Sequence, residues 1–149
     1  MGDARVAAWS IRAYRASDLD AVLDVWHAAS VIAHSFLPED FFETERVTIA
    51  EQWLPMAEVV VAADDDSVLG FLALVGDEVG AIFVHPGHQG RGAGRALMDH
   101  ARALRGTLEL EVFERNAIGR RFYADYGFEP VGESVESRTG ERQLRLRLG

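Results

Sequence analysis

Residues 81–104 read AIFVHPGHQGRGAGRALMDHARAL, and the predicted fold of the whole chain depends mainly on this stretch. An apolar run predicts a strand, Gly90, Gly92 and Gly94 predict a turn, and residues 96–104 predict a helix. Glycine lets a backbone come close to a ligand and adopt positive φ. The first N–H groups of a helix have no partner inside it, and the helix dipole favours an anion there. The strand, turn and helix together therefore predict a pyrophosphate-binding loop.

The spacing of the glycines excludes two common nucleotide-binding loops. A P-loop requires Lys followed by Ser or Thr, and the sequence contains no Lys. A dinucleotide-binding loop requires G-x-G-x-x-G, but that spacing places Arg95 or Leu97 at the last glycine. The pattern that remains is Q-x-x-G-x-G, formed by Gln89, Gly92 and Gly94.

The segments around the loop predict one α+β domain over residues 1–149, with a mixed central sheet flanked by about four helices. Ser17 opens the first helix, with Asp20 at the spacing of a capping box. Pro38 opens a second helix, which Pro55 ends. Residues 116–126 predict the last helix, because a glycine follows it. Strands are predicted at residues 9–14, 58–63, 68–75, 78–84, 108–113, 131–135 and 143–148, the second to fourth of them as an antiparallel meander.

Two separate segments resemble one enzyme family. The glutamine and glycines of the loop match the Q/R-x-x-G-x-G/A motif that follows the fourth strand in the GNAT superfamily of N-acetyltransferases. Asn116 and the segment FYADYGF at 122–128 resemble the family's later motif, in which a helix with a Tyr ends at Gly-Phe. The order of elements is similar over nearly the whole chain. HSFLP at 34–38 and the final hairpin resemble a subgroup of small bacterial YjaB-type enzymes.

The resemblance implies that acetyl-CoA binds as a cosubstrate. In the family the loop binds the pyrophosphate, the fourth and fifth strands splay apart, and the pantetheine arm pairs with the freed strand edge. A main-chain N–H near Phe83 and Val84 is then the expected oxyanion donor. The implied cofactor-binding residues are Phe83, Val84, Gln89, Gly90, Arg91, Gly92, Ala93, Gly94, Arg95, Asn116 and Tyr123.

Tyr123 is the predicted general acid, because it matches the family Tyr whose hydroxyl lies near the thioester sulfur. A phenol with a pKa near about 10 is protonated at neutral pH and donates to a departing thiolate. Core packing is the alternative for Tyr123, since Phe122 and Tyr126 share its helix. Asn116 is predicted to cap the N-terminus of that helix, and the resemblance adds a contact with the cofactor.

The general base is open among three residues and water. Period-two alternation places Glu109 and Glu111 on one face of their strand. Glu111 is predicted to be catalytic, because it lies twelve residues before Tyr123, a spacing that resembles family members acting on protein N-termini. A solvated strand face is the alternative. Glu78 is a second candidate, and His34, predicted to contact the acceptor substrate, is a third.

Composition limits the partners and the compartment. A net charge of −9 opposes binding to nucleic acid, which depends on cationic side chains. Cys is absent, and no apolar run is long enough to span a bilayer. The HPGH segment at 85–88 predicts loop geometry and not a metal site, because carboxylate partners are missing nearby. We expect a cytoplasmic monomer or homodimer that binds no nucleic acid, membrane or metal.

The predicted function is transfer of the acetyl group of acetyl-CoA to a primary amine of a small molecule or protein, by direct attack. The alternative is a non-catalytic regulatory module that binds acyl-CoA. The sequence leaves the acceptor open, since its choice depends on loops at residues 30–38 and 133–142.

Overall fold

The computed structural model describes residues 9–65 and 67–149, where seven strands form one mixed sheet. The strands are β1 (Ser10–Ala13), β2 (Glu58–Ala63), β3 (Val68–Val75), β4 (Glu78–Val84), β5 (Leu108–Phe113), β6 (Glu129–Val135) and β7 (Arg142–Leu148). Their order across the sheet is β1-β2-β3-β4-β5-β7-β6. β2, β3 and β4 pair antiparallel, so the predicted meander and the α+β class are confirmed.

Four helices cover the two faces of this sheet in the described chain. They are α1 (Leu19–Ala33), α2 (Glu39–Thr48), α3 (Ala93–Arg105) and α4 (Ala117–Tyr126). Alternation along β2 divides the core between them. Val60 and Ala62 belong to the cluster that α3 and α4 cover, whereas Val59 and Val61 belong to the cluster that α1 and α2 cover.

Asp18 caps the first helical segment, so the prediction of a capping box from Ser17 and Asp20 is wrong. The Asp18 carboxylate accepts the backbone N–H of Arg15 at 2.8 Å and the guanidinium of Arg12 at 2.8 and 2.9 Å. These bonds hold a short 3₁₀ turn ahead of α1. The hydrogen bond from Arg12 holds the pKa of Asp18 below its usual value, although burial opposes it.

Pro55 does not end the second helical segment, contrary to the prediction. A π-helical turn, Ile49–Trp53, follows α2, and a short helical turn, Leu54–Met56, contains the proline. The N–H of Leu54 donates to the carbonyl of Ile49, five residues back. Proline lacks an N–H, and the wider turn continues the chain past it.

β4 and β5 lie parallel but separate almost at once. One residue pair, Glu78 with Glu109, is in register among the described residues of these two strands. Beyond it the edge of β4 is exposed along Gly80 to Val84, since β3 pairs with the other edge. The sheet therefore opens into a wedge at its centre, between the helices of the two faces.

Candidate active site

A cleft of about 990 Å³ occupies the wedge between β4 and β5. The start of α3 and α4 line one side of it, and the end of α1 and the α2 segment line the other. The cleft brings together the sequence-predicted residues Phe83, Val84, Gln89, Gly90, Gly92, Ala93, Gly94, Arg95, Asn116, Tyr123, Glu111, Glu78 and His34. Arg91 does not line it; its guanidinium lies 3.2 Å from Nδ1 of His88.

Gly90 and Gly92 have the left-handed backbone that the loop requires. Their φ angles are 83° and 81°, and a Cβ built on either would meet no atom within 4 Å. Open space beside a positive-φ backbone is the arrangement that a bound phosphate needs. Gly94 differs from the prediction, because it is helical and its added Cβ would lie 3.4 Å from the Phe122 ring. A Cβ at that distance makes an ordinary van der Waals contact with α4.

The first turn of α3 supplies unpaired donors to the cleft. α3 begins at Ala93, three residues before the predicted start, with Gly92 as its N-cap. The first bonded N–H of the helix is that of Ala96, which donates to the Gly92 carbonyl at 3.0 Å. The N–H groups ahead of it, including those of Gly94 and Arg95, have no acceptor within the helix. Glycine geometry and helix terminus together fit the pyrophosphate of coenzyme A.

Two side chains hold the conformation of the loop by hydrogen bonds to the backbone. The amide of Gln89 donates to the carbonyl of Val84 at 3.2 Å, which ties the loop back to the end of β4. The Nδ1 atom of His85 accepts the N–H of Gly87 at 3.0 Å and shapes the turn Pro86–His88. His85 therefore acts in loop geometry, as its sequence context predicts.

The exposed edge of β4 presents N–H groups to the cleft, and strand alternation identifies them. The N–H of His85 donates to the carbonyl of Leu69 on β3 at 2.8 Å. In an antiparallel pair every second N–H points the same way, so that of Phe83 also points to β3. The N–H groups of Ile82 and Val84 then point to the open edge. Phe83 and Val84 are the two predicted oxyanion donors, and of these the N–H of Val84 alone points to the open edge of β4.

Asn116 caps α4 and Tyr123 lies about two turns further on. The Asn116 Oδ1 atom accepts the N–H of Gly119 at 2.8 Å, as the sequence predicts for an N-cap. Tyr123 lines the cleft and packs edge-on against Phe122 and Phe128. Burial raises the pKa of Tyr123 well above its usual range, so the phenol is protonated at neutral pH.

The two candidate carboxylates have different surroundings. Glu78 is bound by both Nη atoms of Arg145, the shorter contact being 2.7 Å, and Arg145 also contacts Glu109. This ion pair lies at the closed end of the wedge and engages both oxygens of Glu78. Glu111 is exposed in the cleft and accepts one hydrogen bond, from Ser134 Oγ at 3.1 Å. Glu111 is therefore the better placed of the two to receive a proton.

His34 lies at the end of α1 with both ring nitrogens engaged. Nδ1 lies 2.9 Å from Ser30 Oγ, and Nε2 lies 3.2 Å from Asn116 Nδ2. Its ring meets Phe113 edge-on at 5.1 Å between centroids. Burial lowers the pKa of His34 to about 4.

Sequence reasoning missed the far end of the cleft, where the β6–β7 turn reaches α2. The Arg138 guanidinium contacts Glu45 and Glu136 at 2.8 Å and lies 4.9 Å from the centre of the Phe41 ring. The hydrogen bond to Glu45, followed by that to Glu136, raises the pKa of Arg138. The sole sequence signal was the position of Arg138 in the 133–142 loop, on which the choice of acceptor was expected to depend.

Within residues 9–65 and 67–149, no group of three or more His, Cys, Asp or Glu side chains is arranged to hold a metal ion. In the same residues, no helix combines the length and apolar character needed to cross a membrane.

Comparisons with known proteins agree with this geometry. The acetyltransferase (GNAT) domain family matches residues 55–130. The peptidyl-lysine N-acetyltransferase YjaB of Salmonella typhimurium is 31% identical, over 93% of this chain and 96% of its own. The solution structure of apo YjaB from Escherichia coli superposes with a TM-score of 0.84 at 29% identity, covering 93% of this chain and 96% of that one. The PaiA N-acetyltransferase of Thermoplasma acidophilum, crystallised with coenzyme A, shares the fold with a TM-score of 0.76 at 16% identity, covering 92% of this chain and 97% of that one.

Proposed function

The chain belongs to the GNAT family of acetyltransferases, and we propose that its acceptor is the side-chain amine of a lysine in a protein. It is an enzyme that takes the acetyl group from acetyl-CoA, so the alternative of a non-catalytic regulatory module is not favoured. The acceptor proposal rests on the similarity to YjaB of Salmonella typhimurium, a peptidyl-lysine N-acetyltransferase that aligns over 93% of this chain and 96% of its own.

Charge in the cleft supports a cationic acceptor. Glu45, Glu111 and Glu136 line the cleft. Arg138 pairs with Glu45 and Glu136, so three carboxylates against one guanidinium leave an excess of two negative charges there. The chain as a whole carries a net charge of −9. Such a field attracts a protonated lysine and raises its local concentration. The attacking form is the neutral amine, so a base is needed after binding.

We assign the steps of the transfer to residues as follows. The glycine loop and the first turn of α3 bind the pyrophosphate, and the edge of β4 positions the thioester. The neutral amine attacks the thioester carbonyl, and the Val84 N–H stabilises the oxygen that becomes negative. Before the attack Glu111 takes a proton from the bound ammonium, directly or through water. Tyr123 gives its proton to the departing sulfur, and the proton that the nitrogen loses on forming the amide returns to Tyr123 through water. The products are an amide and free coenzyme A.

The test is an acceptor screen with purified protein and acetyl-CoA. Release of free coenzyme A thiol is followed with three peptides of one sequence: one with a free lysine and a blocked N-terminus, one with the reverse, and one with both amines blocked. We expect turnover with the first peptide, and mass spectrometry places the acetyl group on its lysine. Turnover confined to the free N-terminus, or to small amines alone, would contradict the acceptor proposal.

We also propose that the enzyme acts in the cytoplasm, where acetyl-CoA is available, as a monomer or homodimer. Its acidic surface argues against nucleic acid and anionic membranes as partners. Retention of labelled RNA by the protein at low salt would contradict this view.

A further inference from the structure

His34 joins two elements that are far apart in sequence and lie on opposite sides of the cleft. It is the C-cap of α1, and its N–H donates to the Ser30 carbonyl at 2.7 Å. Its Nε2 atom meets Asn116, the N-cap of α4, which is 82 residues away. The acceptor side of the cleft is thus bonded to the helix that carries Tyr123.

The hydrogen bonds fix which nitrogen of His34 carries the proton. The Oδ1 atom of Asn116 accepts the N–H of Gly119, so its NH₂ group faces His34. An amide NH₂ group can only donate, and Nε2 must therefore be an unprotonated acceptor. In the neutral ring the proton then lies on Nδ1, which donates to Ser30 Oγ.

Gly119 leaves room for the Asn116 side chain against the first turn of α4. A Cβ at position 119 would lie 2.5 Å from Asn116 Nδ2, closer than real Cβ contacts allow. The φ of Gly119 is not positive, so backbone conformation does not require glycine there. A side chain at position 119 would displace the Asn116 amide from its present place.

The surroundings of the ring favour its neutral form. Phe36, Phe83 and Phe113 meet it edge-on, at centroid distances of 5.9, 6.4 and 5.1 Å. The remaining partners, Ser30 and Asn116, are uncharged and buried. A protonated ring would place a second donor against the Asn116 NH₂ group.

We propose that His34 is a positioning residue, whose unprotonated Nε2 holds the Asn116 amide and thereby fixes the start of α4, and with it Tyr123, against the acceptor side of the cleft. This inference rests on the proposed function. It removes His34 from the candidate bases, because the lone pair that a base needs is already engaged.

Nitrogen NMR of the histidine rings tests the tautomer without any need for activity. The His34 signals, assigned by their loss in a His34 variant, should show a protonated Nδ1 and an unprotonated Nε2 at neutral pH. In Asn116→Asp the carboxylate keeps the cap to Gly119 but presents an acceptor to the ring. The proton of His34 should then move to Nε2, or the ring should become doubly protonated. An Nε2-protonated ring in the wild type would overturn the proposal.

Two variants separate positioning from base catalysis and from packing. Gln places a carbonyl oxygen near the position of Nε2 and still accepts from Asn116, whereas Leu keeps the volume and accepts nothing. We expect His34→Gln to retain most of the turnover and His34→Leu to lose roughly tenfold or more, since a buried donor is left unpaired. Equal loss in both variants indicates a base and contradicts the proposal, as does equal retention, which indicates packing alone.

The readouts distinguish failure of this inference from failure of the proposed function. If lysine peptides are not acetylated but the NMR tautomer is as expected, the acceptor proposal fails and the positioning contact stands. If lysine peptides react and the ring carries its proton on Nε2, the positioning role fails alone.

Discussion

At the scale of single residues, the chemistry depends on which polar atoms are engaged elsewhere. Glu78 and His34 have their acceptor atoms bonded, to Arg145 and to Asn116 respectively. Tyr123 lines the cleft, and its hydroxyl makes no hydrogen bond to another described residue. Glu111 has a single such bond, from Ser134. Tyr123 and Glu111 are therefore the residues at which substitution should change the chemical step.

Tyr123→Phe should lower turnover roughly a hundredfold, because a positioned general acid contributes about that factor. The phenyl ring keeps its packing against Phe122 and Phe128, so affinity for acetyl-CoA should change little. Steady-state kinetics and calorimetry measure the two effects. Tyr126→Phe is the matched control, because that phenol donates to Asp99 outside the cleft. Full activity of Tyr123→Phe at neutral pH would make Tyr123 a packing residue.

Glu111→Gln should lower turnover most where the acceptor amine is still protonated, well below the lysine pKa of about 10.4. The amide keeps the shape and the bond with Ser134 but does not take a proton. The pH profile of turnover is the measurement, with Glu109→Gln as the control on the same strand face, outside the cleft. A wild-type profile in Glu111→Gln would transfer the base role to water.

At the scale of elements, the proposed cofactor site is a junction of a strand edge, a turn and a helix terminus. β4 presents its free edge because β5 diverges after Glu78. The turn reaches α3 through two left-handed glycines, and the helix begins with unpaired N–H groups directed at the same place. We expect none of the three to bind a pyrophosphate strongly alone, and their juxtaposition to do so.

Gly92→Asp should abolish measurable binding of acetyl-CoA, because it places a side chain and a negative charge where the pyrophosphate belongs. It also strains a backbone with a φ of 81°. Gly76→Asp is the matched control, since Gly76 has a φ of 60° and open space but does not line the cleft. Calorimetry measures binding, and circular dichroism checks the fold of both variants. Equal affinity in the two variants would contradict the assigned pyrophosphate site.

At the scale of the whole molecule, polar contacts connect distant segments around the cleft. Arg12 and Asp18 join β1 to the start of α1, and Arg138 joins the β6–β7 turn to α2 across 93 residues. His34 adds the contact between α1 and α4. Of these, His34 is the group whose proton uptake should be visible in the stability of the protein near neutral pH.

The wild type should lose stability as the pH falls from about 6.5 to about 4, and His34→Gln should lose less. The pKa of His34 is lowered to about 4 in the folded state, against 6.5 in the unfolded chain. Between these values the unfolded state binds more protons, so acid favours unfolding. Urea melts at several pH values give the free energy of unfolding. Asp18 and Glu136 also have lowered pKa values but are common to both proteins. Parallel curves for the two proteins would mean that His34 does not titrate in this range.

The sequence by itself determined the features that depend on a few neighbouring residues. Glycines at 90 and 92 specify left-handed backbone, alternation in β5 separates Glu111 from the core, and Asn116 caps the helix that follows it. The sequence predicted helix boundaries less accurately where a glycine or a proline lies inside a helix. Gly94 lies in the first turn of α3, whose N-cap is Gly92, and a π-turn precedes Pro55.

Only the tertiary structure decided which of these groups meet and which remain free. The divergence of β4 and β5, and the resulting direction of the Val84 N–H, depend on how whole strands pack. The contacts of His34 with Asn116 and of Arg138 with Glu45 join residues 82 and 93 positions apart. Local sequence patterns report backbone preferences over a few residues. Contacts at such separations are set by the packing of helices on both faces of the sheet, and those contacts decide whether a polar atom is available to a substrate.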